Sequence, residues 1–162
     1  MNQYIKQYKK SSIETASKEQ ILIMLYDGAI QFLNKAKIAI NNREIENAHN
    51  NLIAAQNILQ EFIDSMDREV APQLAENLIS LYEYFIRRLI QANFKKQIEP
   101  IDEVLKYLKS LKATWEQAII LAQKEEAQKL TASKRVDFYD TVSTVDYSDD
   151  DSDEDDDEDG YA

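Results

Sequence analysis

The chain has 162 residues, enough for one modest core, with no cysteine and a single histidine. No disulfide framework, thiolate metal site or His-rich metal site can be built from that set. Residues 1–130 hold 17 basic and 17 acidic side chains, so the formal charge of -11 falls entirely on residues 131–162. A charge-balanced body argues against nucleic-acid binding. No apolar run reaches the ~20 residues that span a bilayer, which argues against membrane insertion. The start, "MNQYIKQYKKSSIE", has no apolar h-region, so a cytoplasmic location is expected.

Residues 1–16 are polar with spaced anchors at Tyr4, Ile5, Tyr8 and Ile13. A helix then starts at Ser17, where Ser17 as N-cap and Gln20 three residues on form a capping box. It is expected to run to about Ala39. A second helix starts near Glu44, with the stripe Ile45, Ala48, Leu52, Ala55, Leu59, Phe62 and Met66 in 3-4-3-4 spacing. "DREVAP" breaks it, and Pro72 suits the first turn of a third helix. That helix carries Leu74, Leu78, Leu81, Tyr82, Phe85 and Leu89 and is expected to end near Asn93. Pro100 opens a fourth, with Ile101, Val104, Leu108, Leu111, Trp115, Ala118 and Ala122 on one seam. Trp115 reads as core filler.

Four helices with short connections predict an all-α fold, an antiparallel four-helix bundle. The expected organisation is a cap segment over 1–16, a bundle over 17–130, and a disordered acidic tail over 131–162. In the tail, the block from Asp146 to Asp159 holds 11 acidic residues, and such blocks repel themselves.

Two helices are wider-faced than one core contact needs. On the first, Ile21, Leu22, Leu25, Ala29, Phe32, Leu33 and Ala36 fill the core arc, Tyr26 sits at its edge, and Ile23 and Ile30 lie beyond it. On the third, Ile79, Ile86 and Ile90 flank the stripe, with Tyr84 on the polar side. Either each helix has two neighbours, or part of this surface is a groove for an apolar partner segment. Gly28 lies mid-helix, where glycine costs ~1 kcal/mol relative to alanine. It reads as a site of close approach, by a partner or within the bundle.

The stretches "TASKEQILIMLYDGAIQFLNKAKIAI", "ENAHNNLIAAQNILQEFIDSMD", "LAENLISLYEYFIRRLIQAN" and "LKATWEQAI" resemble the flagellar secretion chaperone family FliS over about residues 1–122. Lys18 departs from the proline that often follows the serine in that family. The resemblance implies a four-helix bundle in the cytosol that binds the disordered C-terminal segment of flagellin. It would prevent premature polymerisation and assist delivery to the flagellar type III export apparatus, with the export gate as a further partner. It also implies an N-terminal segment lying over the binding surface, to which Tyr4, Tyr8 and Ile13 correspond. The expected partner-binding set is therefore Tyr4, Tyr8, Ile13, Ile23, Tyr26, Gly28, Ile30, Ile79, Tyr84, Ile86 and Ile90.

Enzyme readings have little to stand on. Glu46 and His49 make one Glu-x-x-His spacing, but a di-iron bundle needs two, so no metal and no cofactor is expected. A histidine phosphotransfer bundle using His49 is the alternative, against which its helix neighbours are not basic. No catalytic residue is assigned. The acidic block lacks the central glycine of an EF-hand loop. The oligomeric state is not legible.

Overall fold

Ser17 caps the first helix as its sequence demands. In the computed structural model, which describes residues 16–144, Gln20 N–H donates to Ser17 Oγ at 3.2 Å. Ser17 N–H donates to Gln20 Oε1 at 3.0 Å. Helix α1 runs Lys18–Asn41, α2 Ile45–Asp64, α3 Pro72–Lys95 and α4 Glu99–Ser143. The described residues contain no strand, and none of the described helices is long and apolar enough to cross a membrane. The expected all-α bundle is what the chain forms. The cap residues Tyr4, Tyr8 and Ile13 lie outside the described residues.

The connections are short because each helix end is tied off locally. Pro72 occupies the first turn of α3, where its missing N–H is not needed. At the other end of α3, Lys96 takes a left-handed conformation, φ 51°, which halts the helix. Its Nζ donates to the Asn93 carbonyl at 2.7 Å, satisfying a last-turn acceptor. Glu99 and Asp102 open α4, where negative charge suits the helix dipole.

The chain divides at Ile120 and Leu121 into two units. In the first, α1 and α2 make the closest backbone approach. Small residues permit it: Ala29, Ala36 and Ala39 on α1 and Ala48 and Ala55 on α2 are all buried. The first stretch of α4 is joined to α1 by Lys37–Asp102 at 2.5 Å and Lys112–Asp27 at 2.6 Å. It is joined to α3 by Arg88–Glu103 at 2.7 Å. Along α1 the partner numbers fall as the α1 numbers rise, so the helices run antiparallel.

One layer of the core takes an aromatic side chain from each helix. Tyr26 of α1 and Tyr82 of α3 join their hydroxyls across the bundle. The Trp115 indole N–H of α4 donates to Tyr26 Oη at 3.0 Å. Phe62 of α2 stacks on Tyr26 at 4.8 Å between ring centroids and lies 5.3 Å from Tyr82. Trp115 is therefore a hydrogen-bond donor as well as filler.

Several positions differ from the expected stripes. Ile45 and Leu74 are exposed, since each lies in the first turn of its helix with no neighbour alongside. Ala118 and Ala122 are exposed, because burial along α4 fades after Leu108. The largest difference is at the tail. Residues 131–143, expected to be disordered, are helical. No glycine or proline interrupts residues 101–159. The hydroxyls of Thr131 and Thr141 donate back to the carbonyls of Ala127 (2.9 Å) and Asp137 (2.7 Å), so these poor helix formers are satisfied inside the helix. In the second unit, residues 121–144 are exposed throughout.

The buried hydroxyls generate a prediction. Burial pushes both phenols up from the ordinary tyrosine range, opposed at Tyr26 by its bonds to Tyr82 and Trp115 and reinforced at Tyr82 by the neighbouring Tyr26. A folded-state value above the unfolded one gives stability that is complete below the unfolded phenol value of ~10 and is lost as pH rises past it. Urea titrations at increasing pH should show that loss, and the Tyr26→Phe/Tyr82→Phe double variant should blunt it. At neutral pH, Tyr26→Phe should cost about 1–3 kcal/mol, because it strands both Tyr82 and Trp115. Tyr82→Phe, which leaves Tyr26 still accepting from Trp115, should cost less.

Candidate functional site

The expected binding residues scatter into different environments. Tyr26 does not face a partner. It is fully buried, 0% exposed, because its hydroxyl finds two partners inside the core. Gly28 does not make room for an outside chain either: a Cβ there would meet Ile58 Cδ1 of α2 at 3.4 Å, ordinary contact within the bundle. Ile30, Ile79, Tyr84 and Ile86 are half-buried and pack against the core, and Ile23 is half-buried. The inner part of Ile30, Ile79, Tyr84 and Ile86 thus packs within the bundle, and the rest of each side chain stays at the surface.

Tyr84, expected on the polar side, bridges helices instead. Its hydroxyl donates to Glu103 Oε1, and Arg88 Nε donates to Glu103 Oε2 at 2.7 Å. The Tyr84 bond, with Arg88 behind it, holds the Glu103 carboxyl below its usual range. The same bond pushes the Tyr84 phenol up. Lys112 is likewise pushed up, first by its bond to Asp27. These exposed links orient α4 more than they stabilise it.

Ile90 is the one member of the expected set that stands exposed among the described residues, at 52%. It belongs to a surface that the sequence reading did not assemble. Phe94, one turn further along α3, is 87% exposed, and Ile53 of α2 is 37% exposed. Together with His49, Gln56 and Asn93 they line an open cavity of about 470 Å³ between α2 and α3. A second hollow of about 450 Å³ on the far side of Ile90 and Phe94 is lined also by Lys95, Gln97 and Pro100. Phe94 thus stands as an aromatic ridge between two hollows. Asn93 Nδ2 donates to His49 Nδ1 at 2.8 Å, closing one wall. Gln56 Nε2 is buried in the other with no partner among the described residues. Lys96 also lines the first hollow, and neither hollow has a carboxylate in its lining. Ending α3 at Asn93 hid Phe94, although its spacing of four from Ile90 was a usable signal.

This arrangement offers apolar side chains, an unpaired amide donor and positive charge, without the grouped nucleophile, base and acid of a catalytic site. Among the described residues, no three His, Asp or Glu side chains group closely enough to hold a metal ion.

The family model "Flagellar protein FliS" matches residues 1–123. The chain belongs to the FliS family. It is 36% identical to the flagellar secretion chaperone FliS of Bacillus subtilis (strain 168), over 73% of this chain and 87% of that one. Against the FliS of Escherichia coli (strain K12) it is 30% identical, over 68% and 82% of the two chains. A crystal structure described as a flagellar chaperone from bacteria superposes with a TM-score of 0.61 at 18% identity, covering 72% of this chain and 95% of that one. That likeness concerns the fold. The family match stops at residue 123, so the rest of α4 and the acidic block lie outside it.

Gly28 supplies a test of its reassignment. Since a methyl group fits at ordinary contact distance, Gly28→Ala should raise stability by about 0.5–1 kcal/mol through helix propensity alone. Chemical denaturation measures the gain. A destabilised variant would mean that the α1–α2 contact cannot give way at Ile58.

Proposed function

We propose that this FliS-family protein is a cytoplasmic export chaperone for flagellin, binding its disordered C-terminal segment and delivering it to the flagellar type III export apparatus, with the export gate as a further partner. The observation that carries this reading is the family match over residues 1–123. The hollows around Ile53, Ile90 and Phe94 add support: they present apolar surface with donors, suited to an amphipathic segment that also brings carbonyls or carboxylates. Masking a polymerisation segment needs complementary apolar surface and no bond-making chemistry, so the role asks for no catalysis and no cofactor. In this reading residues 1–16, with Tyr4, Tyr8 and Ile13, cover client-binding surface in the free protein.

Calorimetry with a flagellin C-terminal peptide tests the reading. Binding should be micromolar or tighter (about -8 kcal/mol), with a strongly negative heat-capacity change from apolar burial. Phe94→Ala should weaken it while leaving stability within about 0.5 kcal/mol, as for other exposed positions. Leu33→Ala, in the fully buried core, should instead cost about 2–5 kcal/mol of stability. No binding by the folded wild-type chain would refute the chaperone reading. Binding that ignores Phe94→Ala and Ile90→Ala would refute only the placement.

A further inference from the structure

His49 is the only histidine of the chain, and a relay of side chains from the end of α3 fixes how it stands. Lys96 Nζ donates to Asn93 Oδ1. An ammonium has only donors, so the amide oxygen must face Lys96 and the amide nitrogen must face His49. Asn93 Nδ2 then donates to His49 Nδ1 at 2.8 Å, which assigns the ring proton to Nε2. His49, Lys96 and Gln56 all line the hollow between α2 and α3. Gln56 Nε2 is buried without a partner among the described residues, and the terminal torsion of a glutamine is soft enough to let the amide turn toward an acceptor. An imidazole N–H, an amide and an ammonium therefore share one hollow with Ile53, Ile90 and Phe94, and its lining holds no carboxylate.

We propose that this hollow reads a carboxylate side chain of the bound client segment. His49 Nε2–H and the Gln56 amide donate to its oxygens and the Lys96 ammonium supplies the opposite charge, while apolar side chains one turn away on the client rest on Ile53, Ile90 and Phe94. The assignment rests on the client reading above and adds the side-chain chemistry that the hollow selects. Donors form stronger bonds to a carboxylate than to a neutral oxygen. Helical spacing of three or four residues sets an acidic and an apolar client side chain on one face. A basic client side chain finds no carboxylate here. Residues 1–15, with three lysines and one glutamate, match the apolar surface but not these donors. Lys96 is also a positioning residue, since it orients Asn93 and Asn93 orients the imidazole.

Calorimetry of the full chain with a flagellin C-terminal peptide tests it, each acidic residue of the peptide being changed in turn to its amide. Lys96→Met, which keeps the length of the side chain, should weaken binding of the wild-type peptide by roughly tenfold, and so should one of the peptide changes. The two together should lose little more than either alone, since they remove the same bond. His49→Phe should be non-additive with the same peptide position, and His49→Gln, which returns a donor near Nε2, should recover part of the loss. Nitrogen NMR on labelled histidine reads the contact directly, because only one histidine reports. Nε2 should carry the proton in the free chain. Its signal should move on saturation with the wild-type peptide and move less with the neutralised one. Binding in which every acidic position adds independently of Lys96 and His49 would overturn the proposal and leave the client reading intact. A His49 signal that stays put at saturation would do the same, and would leave the hollow to another segment of this chain or to none. No binding by the folded wild-type chain would overturn both.

Discussion

Tyr26 Oη is the atom on which the arrangement of the four helices turns. It meets the Tyr82 hydroxyl across the bundle and takes a hydrogen bond from the Trp115 indole, while Phe62 stacks on its ring. Apolar stripes alone tolerate sliding and exchange of neighbours, because any leucine will pack on any other. Hydroxyls in a dry core do not, since an unpaired one costs far more than a paired one returns. Only one register brings Tyr26, Tyr82 and Trp115 together. The ion pairs of Lys37 and Lys112 with Asp102 and Asp27 agree with that register but are too exposed to impose it.

Around this layer, residue size sets how closely the helices lie. The buried alanines of α1 and α2 let those backbones approach, and Gly28 belongs to the same contact. Elsewhere the larger Tyr82, Phe85 and Leu89 fill the interior. With the core satisfied from within, no further helix among the described residues covers the outer edges of α2 and α3. There Ile53, Ile90 and Phe94 remain in solvent. Contiguous exposed apolar surface marks an interaction site, and in the proposed function it is where the client segment would dock.

The extension of α4 obeys a different balance. Its exposed positions mix Leu121, Tyr139 and Val142 with Glu125, Gln128 and Arg135, so the apolar burial that holds the first unit together is not available along it.

Much of the fold could be read directly from residue spacing. The capping box at Ser17, the turn at Pro72, the restart at Pro100 and the 3-4 seams depend on neighbours close in sequence, so the four helices and their antiparallel order followed without coordinates. The helix over residues 131–143 was not legible for a related reason. Charge and missing apolar periodicity were weighed above the absence of any helix breaker, and the hydroxyl-to-carbonyl bonds that make Thr131 and Thr141 acceptable in a helix show only once a helix exists. What no spacing could supply was the partner of each wide face. A wheel puts Tyr26 at the edge of a core arc and Tyr84 on a polar side, yet one is sealed beneath Phe62 and the other reaches Glu103 on α4. Helical periodicity reports that a side chain leaves the helix axis in a given direction. What waits in that direction depends on residues 56 or 89 positions away, as Tyr82 and Trp115 are from Tyr26, and only tertiary packing brings them within reach.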